Sequence, residues 1–292
     1  MYSFQKVGIK LAESIISNAI KFSLLICVYA KENPQHFTAC IHSILTQTVL
    51  PDELIIVKDG PLTEALDNVI ATQITRFPNE ITIISLPQNV SQGIARAEGI
   101  KKARHEWIAL MDSDDVCRPE RFEKQLKQIA ENPCLDLIGG QITEFDDTTK
   151  NTAQRIVPIT HGKILLRTKQ RNPFNTMTVM LKRTKAVNAG NFRYFIGFED
   201  YDLYARMIAN GAVCANHPDT LVDVRVGNGM YARRKGLTYI RSEWRMQCQL
   251  YKLELTNLFD FLKNILLRIP IRLLPSSCLG LIYKNFARSK DK

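Results

Sequence analysis

The chain has 292 residues, of which 45% are hydrophobic, 23% charged and 8% aromatic. This length is enough to bury a substantial core, and the composition argues against disordered, collagen-like and multi-spanning membrane proteins. The formal net charge of +10 is concentrated at one end: residues 1–220 carry 25 basic against 24 acidic side chains, and residues 221–292 carry 14 against 5. A neutral body with a basic tail disfavours a nucleic-acid-binding domain, which would carry positive charge across its body.

Signatures of secretion and of zinc binding are absent from the sequence. The seven cysteines include no C-x-x-C pair, and the five histidines have no metal-ligand spacing, which disfavours a disulfide framework and a zinc site. No stretch approaches about 18 uninterrupted apolar residues, so we expect neither a signal peptide nor a transmembrane helix. The pattern predicts a cytoplasmic protein, with residues 1–20 as a weakly amphipathic N-terminal appendage.

The first strong structural signal follows that appendage. Residues 22–29 (FSLLICVY) form a continuous apolar run, which is typical of a strand buried on both faces of a parallel sheet. Asn33 then stands where it can cap a helix opened by Pro34, and the apolar residues after it recur at helical spacing.

The same strand-and-helix unit recurs along the next 90 residues. Further short buried strands are predicted at 54–57, 81–86 and 107–111. Ser91 is predicted to cap the helix that follows the third strand and runs to about Arg104. This alternation predicts an α/β fold with a parallel sheet, whose ligands bind beyond the carboxyl ends of the strands. Asp59 and Asp112 both lie at such ends.

The pattern becomes less regular after residue 118. Helices are predicted from Pro119 to about Asn132 and from Tyr201 to Ala209. Strands are predicted at 135–138, 142–145, 177–181 and 221–226. With no linker before about residue 235, we expect one catalytic domain over 21–235 and a basic helical region over 236–292.

The densest cluster of acidic residues is Asp112-Ser113-Asp114-Asp115, directly after the fourth predicted strand. Carboxylates at i and i+2 suit Mg²⁺ or Mn²⁺ bound together with substrate phosphates, because such ions use one or two carboxylates and complete their shell with phosphate and water. A solvated acidic turn is the alternative interpretation of these four residues alone.

Five stretches together decide between these interpretations. The stretches are FSLLICVYAKENP (22–34), SILTQTVLPDELIIVKDG (43–60), NVSQGIARAEGIKKARHEWIALMDSDD (89–115), RNPFNTMTVM (171–180) and FEDYDLYARM (198–207). In the order and spacing of these stretches, the chain resembles inverting glycosyltransferases of family 2, which have the GT-A fold, and within them the amylovoran-type, O-antigen and capsule transferases.

The resemblance implies a nucleotide site at the carboxyl ends of the strands. The residues that it assigns to this site are Val28, Tyr29, Ala30, Glu32, Asp59, Arg96, Asp112 and Ser113. Val28 to Ala30 would form the edge of the pocket, with Glu32 near the base or ribose. Asp59 would accept a hydrogen bond from uracil, and Arg96 would orient Asp112 and the diphosphate.

The resemblance also implies the groups that carry out the reaction. Asp112 and Asp114 would contact ribose and a Mn²⁺ or Mg²⁺ ion, with Asp115 orienting them. Asp200, in the pair with Glu199, would be the catalytic base. Taken alone, these two acids fit the first turn of any helix, where they complement its dipole.

The implied reaction transfers a sugar, glucose or galactose, from UDP to an undecaprenyl-diphosphate-linked saccharide and forms a β-linkage. A dTDP-rhamnose-dependent transferase is the alternative within the same family, and a basic nucleic-acid-binding α/β protein is the alternative outside it. Two positions depart from the pattern: Ala97 stands where many relatives have Asn, and Thr176 where this subgroup often has His. By the resemblance, both positions would border the donor phosphate or the acceptor.

The last 60 residues combine basic clusters with apolar segments. Arg233-Arg234-Lys235-Gly236 is either a lid over the diphosphate or a solvated turn. Residues 237–255 are predicted to be a helix, and residues 258–283 interleave apolar and basic residues, broken by Pro270 and Pro275. This pattern favours helices lying on an anionic inner membrane, on its cytoplasmic face, over a helix packed on the core.

Overall fold

The computed structural model describes residues 20–147, 152–226 and 236–273, apart from the side chains of 74 and 271–273. Its strands are β1 (Phe22–Val28), β2 (Glu53–Lys58), β3 (Glu80–Ser85), β4 (Trp107–Asp112), β5 (Val116–Cys117), β6 (Leu137–Phe145), β7 (Thr152–Arg155), β8 (Met180–Lys182) and β9 (Cys214–Arg225). Its helices are α1 (Pro34–Leu45), α2 (Glu64–Ile74), α3 (Gln92–Lys102), α4 (Arg121–Glu131), α5 (His161–Thr168), α6 (Arg183–Asn188), α7 (Glu199–Ala209), α8 (Leu237–Lys252) and α9 (Leu258–Leu273), with a 3-10 turn at Thr176–Thr178.

These strands form one mixed sheet in the order β3-β2-β1-β4-β8-β6-β9-β5, with β7 paired to β6. The first four strands are mutually parallel, as the alternating pattern predicts. β8 then runs antiparallel to β4, and β9 runs parallel to β6. The α/β prediction is therefore confirmed, and the carboxyl ends of β1, β2 and β4 meet at one edge of the sheet.

Helices cover both faces of this sheet. On one face, side chains of α1, α2 and α4 join a core cluster with Phe22, Leu24 and Ile26 of β1. On the other face, side chains of α3, α5, α6 and α7 pack with Leu25 of β1. Alternate residues of β1 thus face opposite layers, which is why all its residues except Ser23 are apolar. A third cluster joins α8 to the beginning of α7.

The structure corrects several local predictions. Ser91 precedes α3, but its φ of 93° lies outside the extended region that a cap residue uses, and its hydroxyl makes no capping hydrogen bond. The two strands predicted at 135–138 and 142–145 are a single strand, β6, which has a bulge near Gln141. Pro270 lies inside α9 and does not break it.

Other corrections concern short elements. The strand predicted at 177–181 begins only at Met180, because residues 176–178 form the 3-10 turn. β5, β7, α5 and α6 were not predicted at all, since each spans only two to eight residues and shows no full period. The appendage at residues 1–19, the 233–235 segment and the tail after 273 lie outside the described residues.

Candidate active site

The acidic segment lies at the carboxyl edge of the parallel strands, where Asp112 ends β4 beside Cys27 of β1. The chain then turns sharply into β5, with the Asp115 amide 3.5 Å from the Asp112 carbonyl oxygen. The turn brings three carboxylates together, and Ser113 between them donates a hydrogen bond of 2.6 Å to Glu32 Oε2. The predicted site residues Glu32 and Ser113 therefore connect the carboxyl end of β1 to that of β4.

Arg96 is the centre of the site. Its guanidinium, only 3% exposed, reaches from α3 to Asp112 Oδ1 at 2.6 Å and to Asp200 Oδ1 at 2.5 Å. Burial alone would lower the pKa of Arg96, but Asp200 and Asp112 outweigh it and raise that pKa above its ordinary value. Arg96 therefore stays charged, and it connects the acid at the end of β4 to the acid at the head of α7.

Asp200 is held through both of its oxygens. While Oδ1 accepts from Arg96, Oδ2 accepts a hydrogen bond of 2.9 Å from the Thr176 hydroxyl. Burial and the charge of Asp112 raise the pKa of Asp200, and Arg96 and Thr176 oppose that rise. The predicted base thus has a fixed orientation and an environment that favours proton uptake.

Glu199 is the neighbouring acid on α7. Its Oε2 is buried without a hydrogen-bond partner, and burial together with the Asp200 charge raises its pKa to about 7. The N-terminal end of α3 lies close by, at Gly93. An added Cβ there would stand 2.7 Å from the Arg193 carbonyl oxygen and 3.1 Å from Glu199 Cβ. A glycine at this position therefore lets α3 approach the acidic pair.

Negative charge also accumulates at the second and third acids of the segment. Burial, Asp112 and Glu32 raise the pKa of Asp114 to about 7. Burial and its two acidic neighbours likewise raise the pKa of Asp115, although its Oδ1 accepts a hydrogen bond of 2.9 Å from the Arg225 amide. The cluster holds more carboxylates than cationic partners, so its charge is only partly compensated.

A divalent cation would find few protein ligands in this cluster. Within the part of the chain that the structure describes, no three histidine, cysteine or acidic side chains are grouped to hold a metal ion. The donors available are the oxygens of Asp114 and Asp112. That set fits Mg²⁺ or Mn²⁺, which commonly keep most of their shell for water and substrate phosphate.

Of the residues predicted to form the nucleotide site, some are exposed and others are buried. Tyr29 and Ala30 are exposed at the end of β1, next to Glu32. Val28, by contrast, is 1% exposed with its side chain in the core, so only its backbone is available at the edge of a pocket. Its carbonyl oxygen accepts a hydrogen bond from the Asp59 amide, at 2.8 Å.

Asp59 organises the loop between β3 and α3. Its Oδ1 accepts from the Val90 amide at 2.7 Å and its Oδ2 from Asn89 Nδ2 at 3.0 Å. Gly60 follows with a φ of 88°, and a Cβ there would lie 2.7 Å from the Asn89 nitrogen. Asp59 is therefore already engaged with the loop that leads to Arg96, and it is 5% exposed.

Sequence reasoning missed the contacts that three residues make in this site. Gln92 donates to Asp112 Oδ1 at 3.1 Å, and Arg225 holds both the Asp115 carboxylate and the Asp114 carbonyl oxygen. Thr176 was recognised only as a departure from a family pattern, and no residue spacing connects it with Asp200. Each contact joins segments distant in sequence, so periodicity gave no signal for it.

A cavity of about 550 Å³ lies between α4 and β9 and is lined by none of the predicted site residues. Its charged groups are paired with one another, as in the 2.8 Å contact between Lys124 and Asp219 and the 2.9 Å contact between Arg118 and Asp223. We therefore place the candidate site at the acidic cluster and not in this cavity.

With this geometry in place, comparison with known proteins decides the family. A model described as Glycosyl transferase family 2 matches residues 23–195. The chain belongs to this family. The five stretches that carry the sequence resemblance therefore identified the family correctly.

Curated relatives match the glycosyltransferase over nearly its whole length. It is 35% identical over 268 residues to the amylovoran biosynthesis glycosyltransferase AmsE of Erwinia amylovora, covering 90% of this chain and 98% of the relative. It is 33% identical over 268 residues to the UDP-Gal:alpha-D-GlcNAc-diphosphoundecaprenol beta-1,3-galactosyltransferase of Escherichia coli, covering 92% and 97%.

Solved structures show that the glycosyltransferase has the GT-A fold. S. aureus TarS 1-349 in complex with UDP-GlcNAc superposes with a TM-score of 0.66 at 16% identity, covering 94% of this chain and 76% of that one. The mannosyltransferase PcManGT from Pyrobaculum calidifontis, in complex with GDP-Man and Mn²⁺, gives 0.61 at 14% identity, covering 92% and 81%.

Proposed function

We propose that this glycosyltransferase moves a hexose, glucose or galactose, from UDP to a saccharide carried on undecaprenyl diphosphate, with inversion, in the synthesis of a surface polysaccharide. The observation that carries the proposal is the double contact of Arg96, which couples the acid at the end of β4 to the acid at the head of α7. The E. coli relative, whose name contains both a UDP-sugar and a diphosphoundecaprenol acceptor, supports this choice of substrates.

The donor nucleotide would bind at the ends of β1, β2 and β4. Tyr29 and Ala30 are exposed there, and Glu32 lies against Ser113 in the acidic turn. Asp59 would present its remaining acceptor capacity to the uracil ring, since each of its oxygens has accepted one hydrogen bond and keeps a second lone pair. The UDP moiety would thus lie along the edge that these residues form.

The acidic turn fits a divalent ion brought in with the donor diphosphate. Asp114 would hold it, with Asp112 contacting ribose and contributing to the ion's shell, and Asp115 fixed by Arg225 would orient both. Such an ion, when bound, supplies positive charge that stabilises the leaving diphosphate. Burial, together with the negative charge of Asp112 and Glu32, raises the pKa of Asp114, and a bound cation would offset that charge.

Asp200 would act on the acceptor. An inverting displacement needs one carboxylate that takes the proton of the attacking hydroxyl on the face opposite the departing diphosphate. Asp200 is partly accessible, is oriented by Arg96 and Thr176, and has a raised pKa, which increases its strength as a base. Glu199 beside it contributes negative charge that favours the same proton transfer.

Arg96 would connect the donor and acceptor halves of the reaction. Because one guanidinium contacts both Asp112 and Asp200, a donor diphosphate that attracts Arg96 would weaken its hold on Asp200 Oδ1. The base would then be freed as the donor site fills. Until the donor binds, Arg96 opposes the rise in the pKa of Asp200 that burial and Asp112 cause.

The lipid-linked acceptor would require the enzyme to work at the cytoplasmic face of the inner membrane. In the described part of the chain, no helix has the length and apolarity needed to cross a bilayer. We therefore propose peripheral association, in which the protein binds the membrane surface from the cytoplasm.

The test is a transfer assay with a panel of nucleotide sugars, a synthetic GlcNAc-diphosphate-lipid and Mn²⁺. We expect one added hexose from a UDP-sugar, a β anomeric coupling in the product and loss of turnover when Mn²⁺ is chelated. Product from dTDP-rhamnose and from no UDP-sugar would contradict the proposed donor, and an α-linked product would contradict inversion.

A further inference from the structure

The helix α9 is attached to the body through its polar side. Asn264 is buried and donates to the Lys169 carbonyl oxygen at 2.8 Å and to Gln247 Oε1 at 2.9 Å. One turn further along, Arg268 contacts Glu243 Oε1 at 3.1 Å. Both Glu243 and Gln247 belong to α8 and are fully buried, so the inward face of α9 is the one that carries amide and charged groups.

The opposite side of α9 is apolar and faces outward. Its large side chains there are 50–73% exposed: Leu258, Phe259, Leu262, Leu266 and Leu267. Their spacing of i, i+1, i+4, i+8 and i+9 places them on one side of a helix. We call these five residues the outer face. Helices of globular proteins normally bury their apolar residues, so an apolar face this exposed is unusual.

Charge distinguishes between the occupants that could cover the outer face. Residues 258–292 contain seven basic and two acidic side chains, and one of those acids, Asp260, is paired with Lys169 at 3.7 Å. Lys263 is exposed on the same helix. A second copy of the chain would bring the same positive charge against this surface, whereas a bilayer with anionic headgroups offers both an apolar interior and opposite charge.

We propose that the outer face of α9 inserts into the interface of an anionic lipid bilayer and holds the protein on it. The proposal deepens the proposed function by naming the membrane-binding surface, and it rests on that function only for the reason why a membrane is needed. Because Asn264 and Arg268 fix the other side of α9 to the body, insertion would also fix the orientation of the catalytic domain relative to the lipid surface.

The experiment compares vesicle binding of the full chain with that of Phe259→Ser/Leu266→Ser. Sedimentation uses vesicles of phosphatidylcholine alone and of phosphatidylcholine with one-third phosphatidylglycerol, without any acceptor. We expect the wild-type chain to bind the anionic vesicles, and the double variant to bind them at least tenfold more weakly. The control Ile83→Ser/Val187→Ser removes two other exposed apolar side chains, 44% and 43% exposed, on β3 and α6, and it should bind as the wild type does.

Three outcomes would overturn the proposal. The double variant could bind as well as the wild type, or the wild type could bind both kinds of vesicle equally, which would remove the role of anionic lipid. The wild type could also dimerise in light scattering without vesicles while the variant stays monomeric, which would assign the face to self-association. Thermal unfolding of the variant checks that it is folded, and its turnover of a water-soluble acceptor separates failure of binding from failure of the proposed transfer.

A spectroscopic measurement locates the contact. Trp244 on α8 is 48% exposed and packs against Phe261 of α9, with ring centroids 5.6 Å apart, whereas Trp107, the only other tryptophan, is 6% exposed in the body. In Trp107→Phe, we expect vesicles that contain brominated phosphatidylglycerol to quench Trp244 emission. Binding without quenching would place the contact elsewhere and contradict the proposal.

Discussion

Two buried polar clusters of this protein contrast in how completely their charges are balanced. Around Arg96, one guanidinium contacts Asp112 and Asp200, while Glu199, Asp114 and Asp115 add negative charge and have raised pKa values. The second cluster lies between α8 and α9. There Arg268 pairs with Glu243, and the amide groups of Gln247 and Asn264 make the remaining hydrogen bonds.

The difference indicates which cluster is built for a ligand. Burying charge without full compensation costs free energy, so a fold keeps such an arrangement where an ion or a substrate completes it. The α8–α9 cluster leaves none of the side-chain polar atoms of Glu243, Gln247, Asn264 or Arg268 buried without a partner. It therefore attaches α9 to the body, and we propose that the Arg96 cluster serves the reaction.

The largest effect is expected for Asp200→Asn. Loss of a general base lowers the rate by about 10² to 10⁴, because the attacking hydroxyl must then lose its proton without assistance. Turnover is measured with radiolabelled donor, and binding of UDP, measured by thermal shift, should be unchanged. A variant that kept near wild-type turnover would show that Asp200 is not the base.

Arg96→Met and Arg268→Met test the two clusters against each other. Removing one partner of a buried ion pair costs about 3–5 kcal/mol of unfolding free energy, and Arg96 has two such partners. Arg268 is partly exposed, so its replacement should lower the unfolding free energy by less, about 1–3 kcal/mol. Denaturant unfolding and turnover of a soluble acceptor are the measurements. We expect Arg96→Met to abolish turnover and Arg268→Met to retain it; equal losses of turnover would contradict the comparison.

Glu199→Gln should change how stability depends on pH. The pKa of Glu199 is about 7 in the folded chain, whereas an ordinary glutamate has a pKa of 4.5. The folded state therefore binds more protons between these pH values, and stability falls as pH rises through them. Below pH 4.5 the penalty is absent, and above pH 7 it is complete. Glutamine does not ionise, so the variant avoids this penalty. It should gain stability relative to the wild type at pH 8 and gain little at pH 4. Parallel stability profiles for the two proteins would refute the assignment.

The smallest effect is expected for Thr176→Val, which removes one hydrogen bond to Asp200. That bond lowers the pKa of Asp200, so its loss should raise the pKa and shift the acidic limb of the kcat/KM profile to higher pH. Serine, which keeps the hydroxyl, should restore the wild-type profile. A uniform drop in rate without a shift of the profile would mean that Thr176 has only a packing role.

How much of this could be predicted from the sequence differs between the halves of the chain. Four strands of the first half are buried on both faces, so they stand out as apolar runs, and their alternation with helices gives the parallel order. In the second half β7 and α6 are short, and β6 is held by pairing with β8 and β9 from distant segments, which local periodicity does not record.

The candidate active site could also be predicted only in part from the sequence. The acids of the 112–115 segment were predicted because their crowding after a buried strand is unusual. Their partners were not fully predicted: the contact of Arg96 with Asp200 joins residues 104 positions apart, and Thr176 meets Asp200 across 24 positions. For α9 the composition indicated an amphipathic helix, but the buried amide of Asn264, which turns the apolar side outward, follows only from the packing on α8.

We propose that the incompletely balanced cluster at the end of β4 binds a divalent ion together with a nucleotide diphosphate. Calorimetric titration of UDP, with and without Mn²⁺, into the wild type, Asp114→Asn and Arg268→Met tests it most directly. We predict Mn²⁺-dependent binding of UDP in the wild type and in Arg268→Met, and its loss in Asp114→Asn. Binding of UDP that is independent of Mn²⁺ and unchanged in Asp114→Asn would contradict the claim.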